Sequence, residues 1–255
     1  MSTLANAIEI LKLIARLRRD ITVTDLVVEL GLPKSSASRT LKLMAEHGFL
    51  DRDASTRAYR PGGVIMEASY HYRASLNAAS LIEEAVDSLV RDTGCTGYIN
   101  VLVGAESLVI RMRVGAGALQ VYTPPGTRAP AYASSVGRAI LARLDDDAVL
   151  RLVGPHLETR RGHIPRTHKD LLQRLAQTRA DGWALSLGEY VDDVAGVASS
   201  VSDPSDTRIY GLGLAMPAQE ATKASIERYG RAVRDAARTV GVRVGDPYWL
   251  AFAAS

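Results

Sequence analysis

The sequence predicts an α+β protein in two parts: a head of three short helices closed by a hairpin, then a larger body of neighbouring strands with helices set to one side. Three observations predict it. Helical periodicity recurs three times in the first 62 residues and is followed by paired extended runs. From about residue 94 strand-like and helix-like runs alternate, the pattern of an α+β body. The charge is also uneven: residues 1–75 carry 11 Lys or Arg against 8 Asp or Glu, and residues 76–255 carry 20 of each, so the net +3 sits in the head. A basic head on a neutral body fits a DNA-binding module joined to a ligand-binding or dimerisation part.

Composition narrows the class further. With 255 residues, 47% hydrophobic and 23% charged, the chain can bury real cores and is not disordered, collagen-like or coiled-coil. The single cysteine, Cys95, excludes an intrachain disulfide framework and a thiolate metal cage, and points to a reducing cytoplasm. No run approaches the ~18 apolar residues that span a bilayer, and no basic-then-apolar leader opens the chain, so neither export nor a membrane partner is expected.

In the head, Leu4, Ile8, Leu11 and Ala15 mark one helical face, widened by Ile10, Leu13 and Ile14. Thr24 is expected to cap a short second helix, Asp25 to Leu30, stopped by Gly31. Pro33 suits the opening of a third helix running to His47, with Gly48 as terminator. On it Ala37, Leu41, Met44 and Ala45 face inward, while Ser35, Arg39, Lys42 and Glu46 form a polar, mostly basic outer stripe. Two helices joined by a tight turn at Gly31 and Leu32 read as a helix-turn-helix, whose second helix enters the major groove by its N-terminal residues. The expected DNA contacts are therefore Lys34, Ser35, Ser36, Ser38, Arg39 and Thr40, with Lys42 on the same stripe. The hairpin Phe49–Arg52 and Arg57–Arg60, turning over Asp53–Thr56, makes a wing from which Arg52, Arg57 and Arg60 reach phosphates. Residues 1–62 thus read as a winged helix-turn-helix.

Residues 63–79 read as a linker helix with Ile65, Ala68, Tyr72 and Leu76 along one side, packing on a partner subunit or on its own body. Residues 80–255 form the body. A second helical run, Leu81 to Val90, opens it. Thr96–Val103 and Ser107–Val114 pair as a hairpin; Ala133–Leu144, Asp146–Val153 and Lys169–Ala180 are helices. Trp183–Tyr190, Gly196–Ser202 and Arg208–Met216 are strands, and Glu220–Val240 closes the body as a long helix with Ile226, Val233, Ala237 and Val240 inward.

Two features of the body suit a small molecule. Ser134 can cap a helix whose first free N–H groups, near Ser135, Val136 and Gly137, favour a carboxylate, with Arg138 one turn in to add charge. The same residues fit a structural helix in which Gly137 allows close packing. Farther on, Gly211, Gly213 and Ala215 share one face of a strand, and Gly196, Ala198 and Ser200 share a face of the strand before it. Bare faces invite a close approach, by a ligand or by the long C-terminal helix.

Enzyme chemistry finds little support. His47, His71, His156, His163 and His168 lack metal-ligand spacing; Gly115-Ala-Gly117 lacks the third glycine of a dinucleotide fingerprint; neither a phosphate-binding GxxxxGK[ST] loop nor a GxSxG elbow occurs. Cys95 has no histidine or basic neighbour in sequence and reads as a plain half-buried thiol. No cofactor and no metal are expected.

The segments Gly31-Leu-Pro-Lys-Ser-Ser-Ala-Ser-Arg-Thr-Leu41, His47-Gly-Phe-Leu50, Tyr59-Arg-Pro-Gly62, Ala133 to Leu144 and Gly182 to Pro217 together resemble the IclR (isocitrate lyase regulator) family of bacterial transcription factors over nearly the whole chain. The resemblance implies a winged helix-turn-helix, a dimerising linker helix and a GAF-like C-terminal domain that binds small effectors, often organic acids. Carried over by position, the implied pocket is lined by Ser135 and Val136 at the helix start, Ser186 and Val194, and Gly196, Gly213 and Ala215 on the last two strands; Ser134, Gly137 and Arg138 join the expected effector contacts from the helix-start reading above. Ser186, Gly196, Gly213 and Ala215 stand where a glyoxylate-binding relative has acidic, thiol or hydroxyl groups, which implies a larger, more apolar site. Gly126 to Arg138 is similar to the branch controlling aromatic-acid and β-ketoadipate catabolism. The expected molecule is a homodimeric or tetrameric regulator of a double-stranded operator, tuned by a small carboxylate-bearing metabolite. The alternative is a small-molecule enzyme built on the C-terminal domain.

Overall fold

The computed structural model describes residues 3–17, 19–68, 78–117, 121–157, 165–205 and 208–252. It divides into two compact units, Met1–Ser75 and Leu76–Ser255. In the first, α1 (Thr3–Leu17), α2 (Val23–Leu30) and α3 (Lys34–Glu46) precede an antiparallel hairpin of β1 (Leu50–Arg52) and β2 (Tyr59–Pro61). Ile21 adds a bridge to Tyr59, exchanging backbone hydrogen bonds of 2.9 and 2.7 Å.

The core of this unit is built from Ile10, Leu13, Ile14, Leu26, Ala37, Leu41 and Met44, with Leu50 and Tyr59 of the hairpin. Each fully buried Leu or Ile stabilises it by roughly 1.5–3 kcal/mol. The inward face of α1 is therefore Ile10, Leu13 and Ile14, whereas Leu4 and Ile8 are exposed; the four-three-four spacing alone picked the wrong side of a helix apolar on two sides. Helix α2 starts two residues earlier than Thr24 suggests. Thr22 is the cap, because Asp25 three residues on closes a capping box with it: Asp25 N–H donates to Thr22 Oγ1, and Thr22 N–H donates to Asp25 Oδ2 at 2.7 Å. Arg19 also pairs with Asp25 and, with these hydrogen bonds, holds its carboxyl well below the usual range.

Of the expected linker helix, residues 63–68 are helical, and residues 69–77 lie outside the described ones. In the second unit α4 (Ala78–Thr93) leads into a six-stranded antiparallel sheet. Its strands are β3 (Thr96–Val103), β4 (Glu106–Arg113), β5 (Arg128–Pro130), β6 (Ala184–Leu187), β7 (Val194–Ser202) and β8 (Ile209–Pro217), in the order β5-β4-β3-β8-β7-β6. Between β5 and β6 run a 3-10 turn (Ala131–Ala133), α5 (Ser135–Leu141), α6 (Asp146–Val153) and α7 (His168–Asp181). After β8 come α8 (Lys223–Val244) and α9 (Pro247–Phe252).

Helices cover both faces of the sheet rather than one. On one face α4 and α8 pack Ile82, Val86, Val233, Ala237 and Val240 against Ile99, Val197, Leu212 and Leu214. On the other lies α5, all seven of whose residues are buried. It can lie there because the strands below it carry almost no side chains. The register sets Gly196 opposite Ala215, Ala198 opposite Gly213 and Ser200 opposite Gly211. A Cβ on Gly211 would fall 2.5 Å from Val136 Cγ1, and one on Gly213 would fall 2.9 Å from Val136 Cγ2. Gly211 and Gly213 thus receive α5, an occupant that sequence reasoning did not offer, while Gly196 and Ala215 of the same bare faces border a cavity.

This close seat should be intolerant of a single carbon. Gly211→Ala is expected to lower stability by about 1–3 kcal/mol through overpacking against Val136 and Ile140, read as a lower urea midpoint at unchanged m-value.

Candidate functional sites: a basic helix face and a cavity

Helix α3 separates its residues by chemistry. Ala37, Thr40, Leu41 and Met44 are buried, while Lys34, Ser35, Ser38, Arg39 and Lys42 are exposed and Ser36 is half-buried. Thr40 departs from its expected place: it is 3% exposed and its hydroxyl donates to the Ser36 carbonyl at 3.0 Å, so it braces the helix from within. Its 3.6-residue periodicity puts it beside Ala37 and Leu41, which proximity in sequence to Arg39 conceals. Lys42 approaches Glu46 at 3.7 Å, an exposed pair of small energetic weight. Lys34, Arg39, Arg57 and Arg60 have no ion pair among the described residues.

The hairpin beside α3 is braced at its tip. Asp53 Oδ1 accepts from Ser55 N–H, Ser55 Oγ and Thr56 N–H at 2.6–2.9 Å, and these hydrogen bonds hold its carboxyl far below its ordinary value. Arg57 follows at φ 61°, so its side chain leaves the turn from a left-handed backbone. Arg52 lies 5.8 Å from the Tyr59 ring centroid, and Arg60 is exposed on β2. Six exposed or half-exposed polar residues of α3, Lys34, Ser35, Ser36, Ser38, Arg39 and Lys42, and the wing's three arginines can contact a polyanion.

The second site is a cavity of about 200 Å³ at the N-terminal end of α5. Seven of the expected pocket residues border it: Ser134, Ser135, Val136, Ser186, Val194, Gly196 and Ala215. Ser134 caps the helix, its Oγ accepting from Gly137 N–H at 3.1 Å. Ser135 Oγ faces Gly196, where a Cβ would stand 2.8 Å away. The hydroxyls of Ser135 and Ser186 are not engaged by other described residues.

Three expected residues lie elsewhere. Gly137 abuts the 3-10 turn, with a would-be Cβ 2.1 Å from Ala131 O, and Gly213 sits under Val136. Arg138 turns away from the cavity and is 1% exposed. It donates to Tyr132 O at 2.9 Å, to Leu185 O, and to Glu189 Oε2 at 2.6 Å. Burial pushes its guanidinium below its ordinary value, and the neighbouring Glu189 carboxylate opposes that shift. Glu189 also receives Arg174 of α7 at 2.5 Å, so one buried carboxylate bridges two arginines. Arg138 therefore adds no free charge to the cavity; it anchors the 188–193 segment that carries the lining residues Tyr190 and Val191.

The opposite wall went unread in the sequence. It comprises Tyr98 and Asn100 on β3, Ser107 and Val109 on β4, and Val121, Thr123 and Thr127–Ala129 leading to β5. Their signal was present as alternation, since Tyr98, Asn100 and Leu102 share a face. The strand β5, only three residues long, gave no periodicity to read. Tyr98 hydroxyl donates to Val121 O at 2.7 Å, and burial raises its pKa above the ordinary phenol value. Arg128 is the one cation on the lining, and Glu106 holds it at 3.2 Å. Cys95 is half-buried, and desolvation pushes its thiol up, away from thiolate chemistry. Among the described residues no His, Cys, Asp or Glu cluster could hold a metal ion, and no helix is long and apolar enough to cross a membrane.

Comparison with known proteins bears on both sites. Residues 3–54 match the model of the IclR helix-turn-helix domain, and residues 70–242 match that of the bacterial transcriptional regulator IclR C-terminal part. The chain is 25% identical over 248 residues to the HTH-type transcriptional regulator XynR of Escherichia coli, covering 97% of this chain and 98% of XynR. Among solved structures it is similar to a putative IclR regulator from a Silicibacter species, with TM-score 0.80, 23% identity and 96% of each chain covered. It is also similar to the Agobacterium tumefaciens repressor BlcR, with TM-score 0.72, 26% identity, and 95% and 97% of the two chains covered.

The Glu189 bridge yields a direct expectation. Glu189→Ala strands the buried Arg138 without its carboxylate and should cost about 3–5 kcal/mol, measured by urea unfolding; a loss below 1 kcal/mol would show that Leu185 and Tyr132 carbonyls suffice.

Proposed function

Because the chain belongs to the IclR family of bacterial transcriptional regulators, we propose that residues 1–62 read DNA, residues 63–79 join and pair protomers, and residues 80–255 sense a small organic acid. The chain is a DNA-binding transcriptional regulator with a C-terminal effector-binding part, and it is not an enzyme. One observation carries the DNA reading: the exposed, unpaired Lys34 and Arg39 of α3 lie on the unit that also presents Arg57 and Arg60 from a braced hairpin. Lys34, Ser35, Ser36, Ser38, Arg39 and Lys42 would meet the major groove, while Arg52, Arg57 and Arg60 hold phosphates and fix the register. A module of this kind reads one half-site, so a homodimer or tetramer on a near-palindromic operator is the matching assembly, working in the cytoplasm.

The effector part of the reading rests on the cavity. The surface it offers is mainly apolar, with eight hydroxyl-bearing residues, one amide and one guanidinium on its rim, a composition compatible with a small-molecule site. A cavity of roughly 150 Å³ holds a benzene ring, so about 200 Å³ suits one ring with one or two substituents. A carboxylate on such a ring has Arg128 as its cation. Helix α5 is too short, and its cap too fully used by Gly137 N–H, to serve that charge alone. The ligand changes operator affinity only by as much as it prefers one conformation of the regulator.

Arg39→Ala is expected to weaken operator binding and to reduce the slope of log K against log salt by about one, while Arg111→Ala on the sheet leaves both unchanged in the same gel-shift titration. Ser135→Trp should fill the cavity and abolish the melting-temperature rise produced by a binding aromatic acid, with DNA affinity retained; a rise of unchanged size would place the effector elsewhere.

A further inference from the structure

We infer that Arg57, at the tip of the wing, reads the minor groove beside each half-site, and that the operator therefore carries an A·T-rich flank that α3 never touches. The inference rests on the DNA reading above and adds a second determinant of sequence to it. Arg57 closes the turn at φ 61°, in the left-handed region where hairpins usually place glycine. Its N–H donates to Asp53 O at 3.0 Å, and Asp53 N–H donates to Ala58 O at 2.9 Å, so the backbone is bonded on both sides of it. Its side chain is exposed and has no ion pair among the described residues. A cation held where glycine would be unstrained points to a task that glycine cannot perform.

The rest of the tip is shaped for a narrow space. Ala54, Ser55 and Thr56 are exposed and small, and the Asp53 carboxylate fixes them by accepting from the Ser55 and Thr56 N–H groups and the Ser55 hydroxyl. The other two wing arginines lie on the strands: Arg52 has the Tyr59 ring centroid 5.8 Å away, and Arg60 faces Asp51 across the ladder. They suit the phosphates at the groove walls, which carry no sequence information. The tip suits the groove between. About 3.3 Å per residue carries the chain roughly 13 Å from Leu50, in the core of the head, to Ala54. The arginine side chain extends that reach toward the ~17 Å between adjacent grooves, half of one helical turn. A minor groove about 6 Å wide admits one extended side chain. Its A·T floor offers only acceptors, and a guanidinium only donates, whereas G·C adds an amine donor that opposes it. Stiff A·T runs also narrow the groove and deepen its negative potential, which draws arginine in.

Selection from a pool of random duplexes by the full-length protein should enrich a palindromic core and, about half a helical turn outside the centre of each half, a run of A·T pairs. Arg57→Gly should enrich the same core without the flank. Glycine accepts the left-handed φ, so this variant should melt no lower than the native protein. Arg60→Gln, altered on the strand instead, should weaken binding to all duplexes alike and keep the flank. On the selected duplex, gel-shift titration should give the native protein about tenfold weaker binding when the flank is changed to G·C. Binding should be unchanged when the flank becomes inosine·C, which lacks the minor-groove amine yet keeps guanine's major-groove edge. Arg57→Gly should bind all three duplexes with one affinity. A native core without a flank, a flank that survives Arg57→Gly, or an inosine·C duplex bound as weakly as G·C would each overturn the inference. So would an Arg57→Gly variant that loses the core or its fold, making the arginine a general anchor or a structural residue. Selection of no sequence by the native protein removes the DNA reading itself, whereas a core without a flank removes only this inference.

Discussion

A helix can approach a β-sheet as closely as α5 does only where the strands beneath it lack side chains. That constraint organises the second unit. Gly196, Ala198 and Ser200 on β7 and Gly211, Gly213 and Ala215 on β8 face one another in register, and Val136 and Ile140 of α5 descend into the gap. Small residues weaken strands taken singly. Here the loss is offset by burying an entire helix, and by Tyr210, Leu212, Leu214 and Met216 packing on the opposite face. The cavity adjoins the start of the helix. At Ser135 the chain lifts off the sheet, and the volume between Gly196, Ala215 and the β3–β4 wall stays open.

Two buried ion pairs hold that helix in place, and their energetics differ from those of the head. Arg138 meets Glu189, and Arg143, just past the helix end, meets Asp246 at 2.5 Å while its guanidinium lies 4.4 Å from the Tyr248 ring centroid. Desolvating four charges is expensive, so such pairs add little net stability over apolar packing. What they contribute is position, because each arginine is also satisfied by backbone carbonyls: Tyr132 and Leu185 for Arg138, Ser200 for Arg143. The head instead uses exposed pairs such as Arg16–Glu29, which salt screens and which carry small weight. Its cohesion comes from hydrocarbon, leaving Lys34, Arg39, Arg57 and Arg60 without an ion pair among the described residues.

Period and punctuation made much of this legible. The strands β3, β4, β7 and β8 and the helices α3, α6, α7 and α8 follow their alternation and caps to within a few residues. Other features escaped because their causes are not local. The side of α1 that faces inward depends on which residues Leu26 and Leu41 meet, and Leu4 and Ile8 are as apolar as Ile10 and Leu13. The cap of α2 was misplaced because Thr22 and Thr24 both precede Asp25, and only the reciprocal bond of Asp25 separates them. Helix α9 and its wholly buried Trp249, whose indole N–H donates to Ser200 O at 2.8 Å, lay beyond the last periodic run. Seven cavity residues were found from resemblance and small-residue pattern. Asn100 and the rest of the β3–β4 wall were missed, because β3 must first pair with β8, and β4 with β3, before either borders anything.

The floor beneath α5 has two zones, and this bears on how such a molecule can diverge. Gly211 and Gly213 lie directly under Val136 and Ile140, so any replacement there disturbs the seat of the helix. Ala215, Ser186 and Val194 border open volume instead. A lineage can therefore exchange residues in the second zone, reshaping the cavity, without disturbing the seat of the helix. Descendants that share a sheet and a helix need not share a diet.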